Sequence, residues 1–419
     1  MANPDTAAPA TSPARPKRQT GLLSGLGFVY LAVMATYAAL AVSLVPNQVQ
    51  AIDAADKVGN LAIVNTIAAV VTIFFQPIAG ALSDRTRSRF GRRAPWMVLG
   101  AVIAALFLLG LGASSSIPFI AIFLVLAQAG LNTVNGPASA IVADRFDRSR
   151  RGIASAVTGV GTMIGFGVGV GIAGALANDL GLGYLVFGVL VLVAVLVFVL
   201  TNPDAPSTDL EKPPFRWGEF VRGFWVNPRK NPDFAWAFGA RFAMILAYQS
   251  VQSYLLYILR DHIHVSDAAS NGLATLITAA MLGSALVTTF LGGVLSDKVG
   301  RRKPFVIVAS LFMAVALAFP VISPTVGAMF ALAVVFGVGY GAYLSVDLAL
   351  MTEVLPDAGR SAARDMGILN VATNVPQALT PVVAWLLITY IGGYTALFIA
   401  GIVFCVVGAL TILPIKSVR

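Results

Sequence analysis

SDRTRSRFGRRAP, residues 83–95, and SDKVGRRKP, residues 296–304, are two copies of one signal. Asp84 matches Asp297, Gly91 matches Gly300, Arg92-Arg93 match Arg301-Arg302, and Pro95 matches Pro304. The offset is 213 residues at the aspartate and 209 from the glycine onward, because the first copy carries four extra residues. A second pair, VNGPASAIVADR (134–145) and VDLALMTEVLPD (346–357), matches mainly by position. A chain written twice in one direction predicts two halves of the same build.

Around these charged runs the chain is almost entirely apolar. Of 419 residues, 58% are hydrophobic and 11% charged, against about 25% charged in a soluble domain. Apolar runs of 18 or more residues recur, each long enough to cross roughly 30 Å of hydrocarbon as a helix. Only helices or closed barrels satisfy the backbone there, and barrel strands need only about 10 residues each. Twelve spans are expected near 22–46, 58–83, 95–114, 117–142, 153–177, 183–201, 233–258, 268–296, 304–322, 326–351, 366–390 and 393–414. The expected fold is therefore an all-α polytopic membrane protein of two six-helix halves, 22–201 and 233–414. A polar, proline-rich linker, 202–232, joins them, with tails at 1–21 and 415–419. Two such halves in parallel are the pattern of repeat-built transporters.

With both termini cytoplasmic, 25 of the 28 Lys and Arg fall in the tails and cytoplasmic loops. Lys57 and Arg260 fall on the other side, and Arg241 lies within a span. This asymmetry is the positive-inside rule, so the net charge of +9 reflects topology and not a nucleic-acid partner. The expected location is the plasma (inner) membrane, with lipid as neighbour. The first twenty residues lack the apolar core of a cleaved leader, so the first span is expected to stay as an anchor. A single cysteine, Cys405, excludes an intrachain disulfide and a cysteine-cluster metal site. Without a P-loop, ATP-driven pumping is disfavoured. The two histidines, His262 and His264, read as a chance outer-loop pair beside Asp261. No enzyme, cofactor or metal is expected, and the partners are a small-molecule substrate and a coupling proton, taken up by a monomer.

GALSDRTRSRFGRR (80–93) resembles the signature loop between spans 2 and 3 of the major facilitator superfamily, and the resemblance covers nearly the whole chain. Its expanded form is similar to that of the glycoside–pentoside–hexuronide cation symporters and the sucrose-transporter-like branch. SVDLALMTEVLP and RDMGILNVATNVPQ, within 345–377, resemble bacterial members of that branch. The resemblance implies alternating access. It also implies that Asp84 faces the start of span 11 while the loop arginines meet Asp144 at the end of span 4. A carboxylate at a helix N-terminus is worth about 0.3–1 kcal/mol, or about 2 when partly buried. Contacts of this kind bias an equilibrium only if they differ between its states. The expected gate latch is Asp84, Arg85, Arg92, Arg93 and Asp144, with Asp297, Arg301 and Arg302 in the second half. For Arg85, Arg87 and Arg89, orientation and headgroup contact remain an equal reading.

Within the spans, Arg241 and Asp347 stand at similar depth and are expected to pair. Ionisable groups at membrane depth are costly and are functional candidates by default. Two readings stay open: a structural ion pair tying spans 7 and 10, or a proton site at Asp347 tuned by Arg241. Glu353 belongs nearer the aqueous end. In span 11, Asn370, Asn374 and Gln377 form one helical stripe. Tyr37, Asn65, Asn132, Asn135, Tyr248, Gln249, Gln252, Tyr254, Tyr257, Tyr340 and Tyr343 add polar groups. Amides that bond hydroxyls in both senses, with aromatic faces, suit a neutral polyhydroxylated ligand; packing glue between helices is the competing reading.

Span 2 lacks the carboxylates of the sodium-coupled sugar symporters it resembles, which favours protons. VLAQAG (125–130) has Val125 where drug antiporters of the superfamily carry arginine, and GVGTMIGFGVGVGIAG (159–174) lacks their Gly-Pro pair. Its glycines permit close helix approach. The expected function is secondary active transport, proton-coupled symport of a sugar or glycoside. The alternative is proton-coupled export of a drug-like or natural-product molecule. A channel or scaffold fits less well, because a duplicated latch has meaning only in alternating access.

Overall fold

The computed structural model describes residues 16–147, 149–208, 229–299, 302–354 and 362–415; some side chains within these, including those of Asp297, Glu353 and Asn370, lie outside the description. Helix α1 joins Pro16–Ala39 to Val45–Ile52 through a π turn at Leu40–Leu44. α2 (Lys57–Arg85), α3 (Ala94–Gly112), α4 (Ile117–Arg145), α5 (Arg151–Ala175) and α6 (Leu180–Thr201) follow. After the linker come α7 (Pro232–Tyr257, with a π turn Ile258–His262), α8 (Asp267–Val299), α9 (Lys303–Ile322) and α10 (Val326–Glu353). α11 (Ala362–Leu386, with a π turn Leu387–Gly392) and α12 (Gly393–Ile412) complete the chain.

Local chemistry sets several of these ends. Proline stands at the first or second position of α3, α4, α7 and α9, where its missing N–H is an orphan in any case. α1 begins at Pro16 and runs on past the expected end at residue 46. Pro46 has no N–H and its ring crowds the carbonyl four residues back. The widened turn just before it, closed by Val45 N–H on the Leu40 carbonyl, lets the helix continue.

Eleven stretches among the described residues are long and apolar enough to cross a membrane. Ten run from 19 to 33 residues, but the last, Val371–Ile412, has 42. At 1.5 Å per residue it is about 63 Å long as a helix, twice the hydrocarbon thickness of about 30 Å. It holds both α11 and α12, which meet where Gly393 adopts φ 68°.

The packing repeats with the sequence. α1 lies on α5 and α6, α3 on α4 and α6, and α2 on α4; displaced by six helices, α7 lies on α11 and α12, α9 on α10 and α12, and α8 on α10. Between the two sets, α2 meets α11 and α5 meets α8. The glycine run of α5 has a defined register. A methyl group at Gly161, Gly165 or Gly169 would strike the carbonyl oxygen of Gly27, Leu31 or Ala35, four-residue steps on both helices. These helices touch backbone to backbone, the small-residue packing available where lipid gives no hydrophobic drive.

Candidate functional site

Three polar clusters stand at three levels of the bundle. At the end carrying the charged loops, Arg93 is buried between two carboxylates. Its Nη2 lies 2.5 Å from Asp84 Oδ1 and 2.8 Å from Asp144 Oδ2, and its Nε donates to the same Asp144 oxygen at 3.0 Å. Arg92 takes the other Asp144 oxygen at 2.8 Å. Ser83 accepts from Arg93 Nη1 and donates to the Arg92 carbonyl. The cluster thereby ties α2, α3 and α4, all in the first set of helices; the side chains at the start of span 11, which Asp84 was expected to face, lie outside the description. Arg85 ends α2, and Arg87 donates to the Asp84 and Thr86 carbonyls. In the second copy Arg302 stands just before α9; Asp297 by its side chain and Arg301 altogether lie outside the described residues.

Further in from these loops, α7, α10 and α11 converge around Arg241 and Asp347. Arg241 Nη1 stands 3.1 Å from Asp347 Oδ2, and its Nη2 donates to Thr373 Oγ1 at 2.8 Å. Tyr343 donates its hydroxyl to Asp347 Oδ1 at 2.6 Å. The Arg241 Nη1 contact is an ion pair without hydrogen-bond alignment, so among the described residues that buried nitrogen has no hydrogen-bond acceptor. One α10 face presents Phe336, Tyr340, Tyr343 and Asp347. Opposite, Tyr248 of α7 stacks on Tyr340 with centroids 4.4 Å apart and planes 7° apart, and both lie beside Phe336.

The buried Tyr37 hydroxyl of α1 faces the Asn132 side chain, and the Gln252 amide nitrogen of α7 is buried without a hydrogen-bond partner among the described residues. The same holds for Thr66 Oγ1 of α2, which the sequence did not single out. Asn132 bonds back to the Gln128 carbonyl. Asn65, Asn135, Gln249, Asn374 and Gln377 are half-buried; Asn370 is outside the description. Two tyrosines leave the set. Tyr254 donates to the Pro381 carbonyl and Tyr257 to the Pro46 carbonyl at 2.8 Å. Both rings are fully buried, so they act as ties between helices.

The third cluster was missed. At the opposite end from the charged loops, Arg260 donates to Asn47 Oδ1 at 2.7 Å and to Gln50 Oε1 at 3.0 Å, and pairs with Asp267 at 2.8 Å. Lys57 pairs with Asp261 at 2.7 Å, whose other oxygen accepts from Tyr394 at 2.7 Å. Asn271 accepts from Ser43 and Asn47. The bonds of Arg260 to Asn47 and Gln50, of Lys57 to Asp261, and of Ser43 and Asn47 to Asn271 join the first six helices to the last six. The available signal was the exception to the charge rule: Lys57 and Arg260 are the two cations placed outside, and both are used here.

Among the described residues, twelve helical segments in two matching sets, with a buried ionisable pair between α7 and α10, form a polytopic helical bundle of the parallel-repeat type. The family model of the Major Facilitator Superfamily matches residues 20–280 and 256–418, and the chain belongs to that superfamily; it is a membrane transporter. It is similar to a bacterial homolog of the human lysosomal transporter Spinster in an inward-facing and occupied conformation. The TM-score is 0.76 at 16% identity, over 98% of each chain. It is also similar to the nucleoside transporter NupG, with TM-score 0.75 and 12% identity, over 94% of this chain and 99% of that one. These likenesses establish the fold. Two short sequence matches accompany them. An uncharacterised symporter of Synechocystis sp. is 68% identical over 31 residues, 7% of this chain and 6% of its own length. Sucrose transport protein SUC3 of Arabidopsis thaliana is 26% identical over 126 residues, 24% of this chain and 21% of its own. The matched stretches thus span only a small part of both relatives.

Proposed function

We propose that this transporter is a proton-coupled symporter of a sugar or glycoside, a monomer working by alternating access in the plasma (inner) membrane. In this reading Val371–Ile412 crosses twice, giving twelve spans, both termini are cytoplasmic, and residues 22–201 and 233–414 are the two moving bundles. The observation that carries the proposal is the buried Arg241–Asp347–Tyr343 group within the helices. An isolated guanidinium or carboxylate there is costly, while the pair is tolerated. Protonating Asp347 dissolves the pair and leaves Arg241 with open donors. Substrate binding that uses those donors is then linked to the proton by the ordinary reciprocity of coupled sites. The buried Gln252 amide, unpartnered among the described residues, supports a ligand rich in hydroxyl groups, since a buried donor without a partner carries a desolvation cost that a ligand would remove. The short symporter and sucrose-transporter matches support the same branch.

The stacked Tyr248–Tyr340 pair with Phe336 also suits an amphipathic small molecule moved outward. One experiment separates the readings: a thermal-shift screen of purified protein against sugars and amphipathic drugs, then proteoliposome flux under an imposed pH gradient. Stabilisation by sugars and acid-driven uptake is the expected result. Stabilisation only by lipophilic cations would sink the sugar reading.

A further inference from the structure

The four residues by which the first charged loop exceeds the second have a partner in the structure, and it is the linker. Immediately after α6 the chain folds back over the loop between α2 and α3. Ser207 N–H donates to the Ser88 carbonyl at 3.0 Å, and Ser88 N–H donates to Ser207 Oγ at 3.0 Å. Ser207 Oγ in turn donates to the Thr86 carbonyl at 3.1 Å. Ser207 is 2% exposed, which is unusual for a serine outside any helix. Arg145 at the end of α4 holds the preceding carbonyls, Asn202 O at 3.0 Å and Pro203 O at 3.2 Å. Asp204 sits so close over Gly91 that any side chain there would strike it. Gly91 also has φ +81°, a conformation costly for other residues.

The loop atoms that receive the linker belong to Thr86 and Ser88, inside the stretch that separates Asp84 from Gly91 and is four residues shorter in the second copy. In the second copy, among the described residues, Lys303 reaches the chain after α12, donating to the Ile415 carbonyl. The strip is also joined to the buried charge cluster, because Thr86 Oγ1 accepts from Trp96 Nε1 at 2.6 Å and Ser83 is shared with Arg92 and Arg93.

We propose that the insertion is a docking strip for the start of the linker. Residues 202–207 then travel as part of the first bundle, and the pivot between bundles begins after Ser207. Rocking motions are absorbed by a few residues between rigid bodies, and a linker with this many bonds to one body is not among them. The inference rests on the alternating-access reading, and the test keeps the two apart.

In a Cys405→Ala background, spin labels are placed in pairs at Ala205 and Asp147, at Ala205 and Lys298, and at Asp147 and Lys298. Distances are measured in the otherwise unchanged protein and in an Arg260→Ala variant, which loses bonds between the bundles. The expected result is one narrow, unmoved distance for 205–147, while 205–298 and 147–298 shift together. A broad 205–147 distribution, or one that shifts with 147–298, would overturn the docking. If 147–298 does not move, alternating access is in doubt, and the width of 205–147 still decides the docking. Removal of residues 86–89 should broaden 205–147. Should that variant not fold, Ser207→Pro removes the same amide and hydroxyl and should broaden it too; a distance that stays narrow would show that the insertion is not what holds the linker.

Discussion

Arg93 and Arg241 are both buried guanidinium groups, and their surroundings assign them different work. Arg93 has two carboxylates and a serine within reach, so its charge is matched within the first set of helices. Arg93→Ala would leave Asp144 facing Arg92 alone and cost about 2–3 kcal/mol. That is toward the low end of breaking a buried pair because Asp84 is half exposed; a fall in thermal stability without change in ligand affinity is the expected reading. Among the described residues, Arg241 has one carboxylate and an Nη1 without a hydrogen-bond acceptor. Asp347→Asn should abolish uptake driven by an acid exterior and make the remaining flux independent of the pH gradient, while ligand exchange at zero gradient survives. Loss of exchange together with normal folding would refute the proton role. The sequence exposed this pair because a charge inside a long apolar run is rare and costly. It hid Lys57 and Asp261, which sit at helix ends where charges are common, and whose separation of 204 residues leaves no local mark.

α5 shows how much of an element the chain reveals and where it stops. The glycine run was visible as a license for close approach, but not which glycines face α1. The structure separates them by what stands opposite. Gly161, Gly165 and Gly169 meet carbonyl oxygens, whereas Gly159 has open space around it. Gly165→Leu should wedge α1 from α5 and cost about 1–3 kcal/mol by overpacking. Gly159→Ala should change stability by less than about 1 kcal/mol, the ordinary Gly-to-Ala helix difference. Detergent-solubilised thermal unfolding of the two variants checks both. Equal losses would mean that the register is wrong. Proline was similarly half legible. Its place at helix starts follows from its missing N–H, but Pro46 lies inside α1, and the π turn that carries it needs a neighbouring bundle to hold the bent end.

For the whole molecule, hydropathy and the doubled loop carried the fold, since lipid leaves the backbone no option but helices and a repeated sequence repeats its packing. The count of membrane crossings was less secure, because α11 runs into α12 through a π turn and a glycine pair and not through a polar loop. State is a further level, set by which bonds join the two sets of helices. Those around Arg260, Lys57 and Asn271 close the end opposite the charged loops, which in the proposed topology is the outer face. Arg260→Ala removes its bonds to Asn47 and Gln50 across the bundle interface. A hydrogen bond to a charged group is worth about 1.5–3 kcal/mol. Losing the equivalent of one, net of the water that replaces it, favours the outer-open form by roughly 10–100-fold. Spin labels at Ala54 and Ser266, on exposed turns of the two sets, should report a longer distance in the variant. Asp267→Ala, which leaves the bonds between the sets in place, should shift it far less, because Asp267 is largely exposed and belongs to the same set as Arg260. An unchanged Ala54–Ser266 distance in Arg260→Ala would mean that the polar network is a passenger and that apolar packing of α2 on α11 and α5 on α8 keeps this end shut.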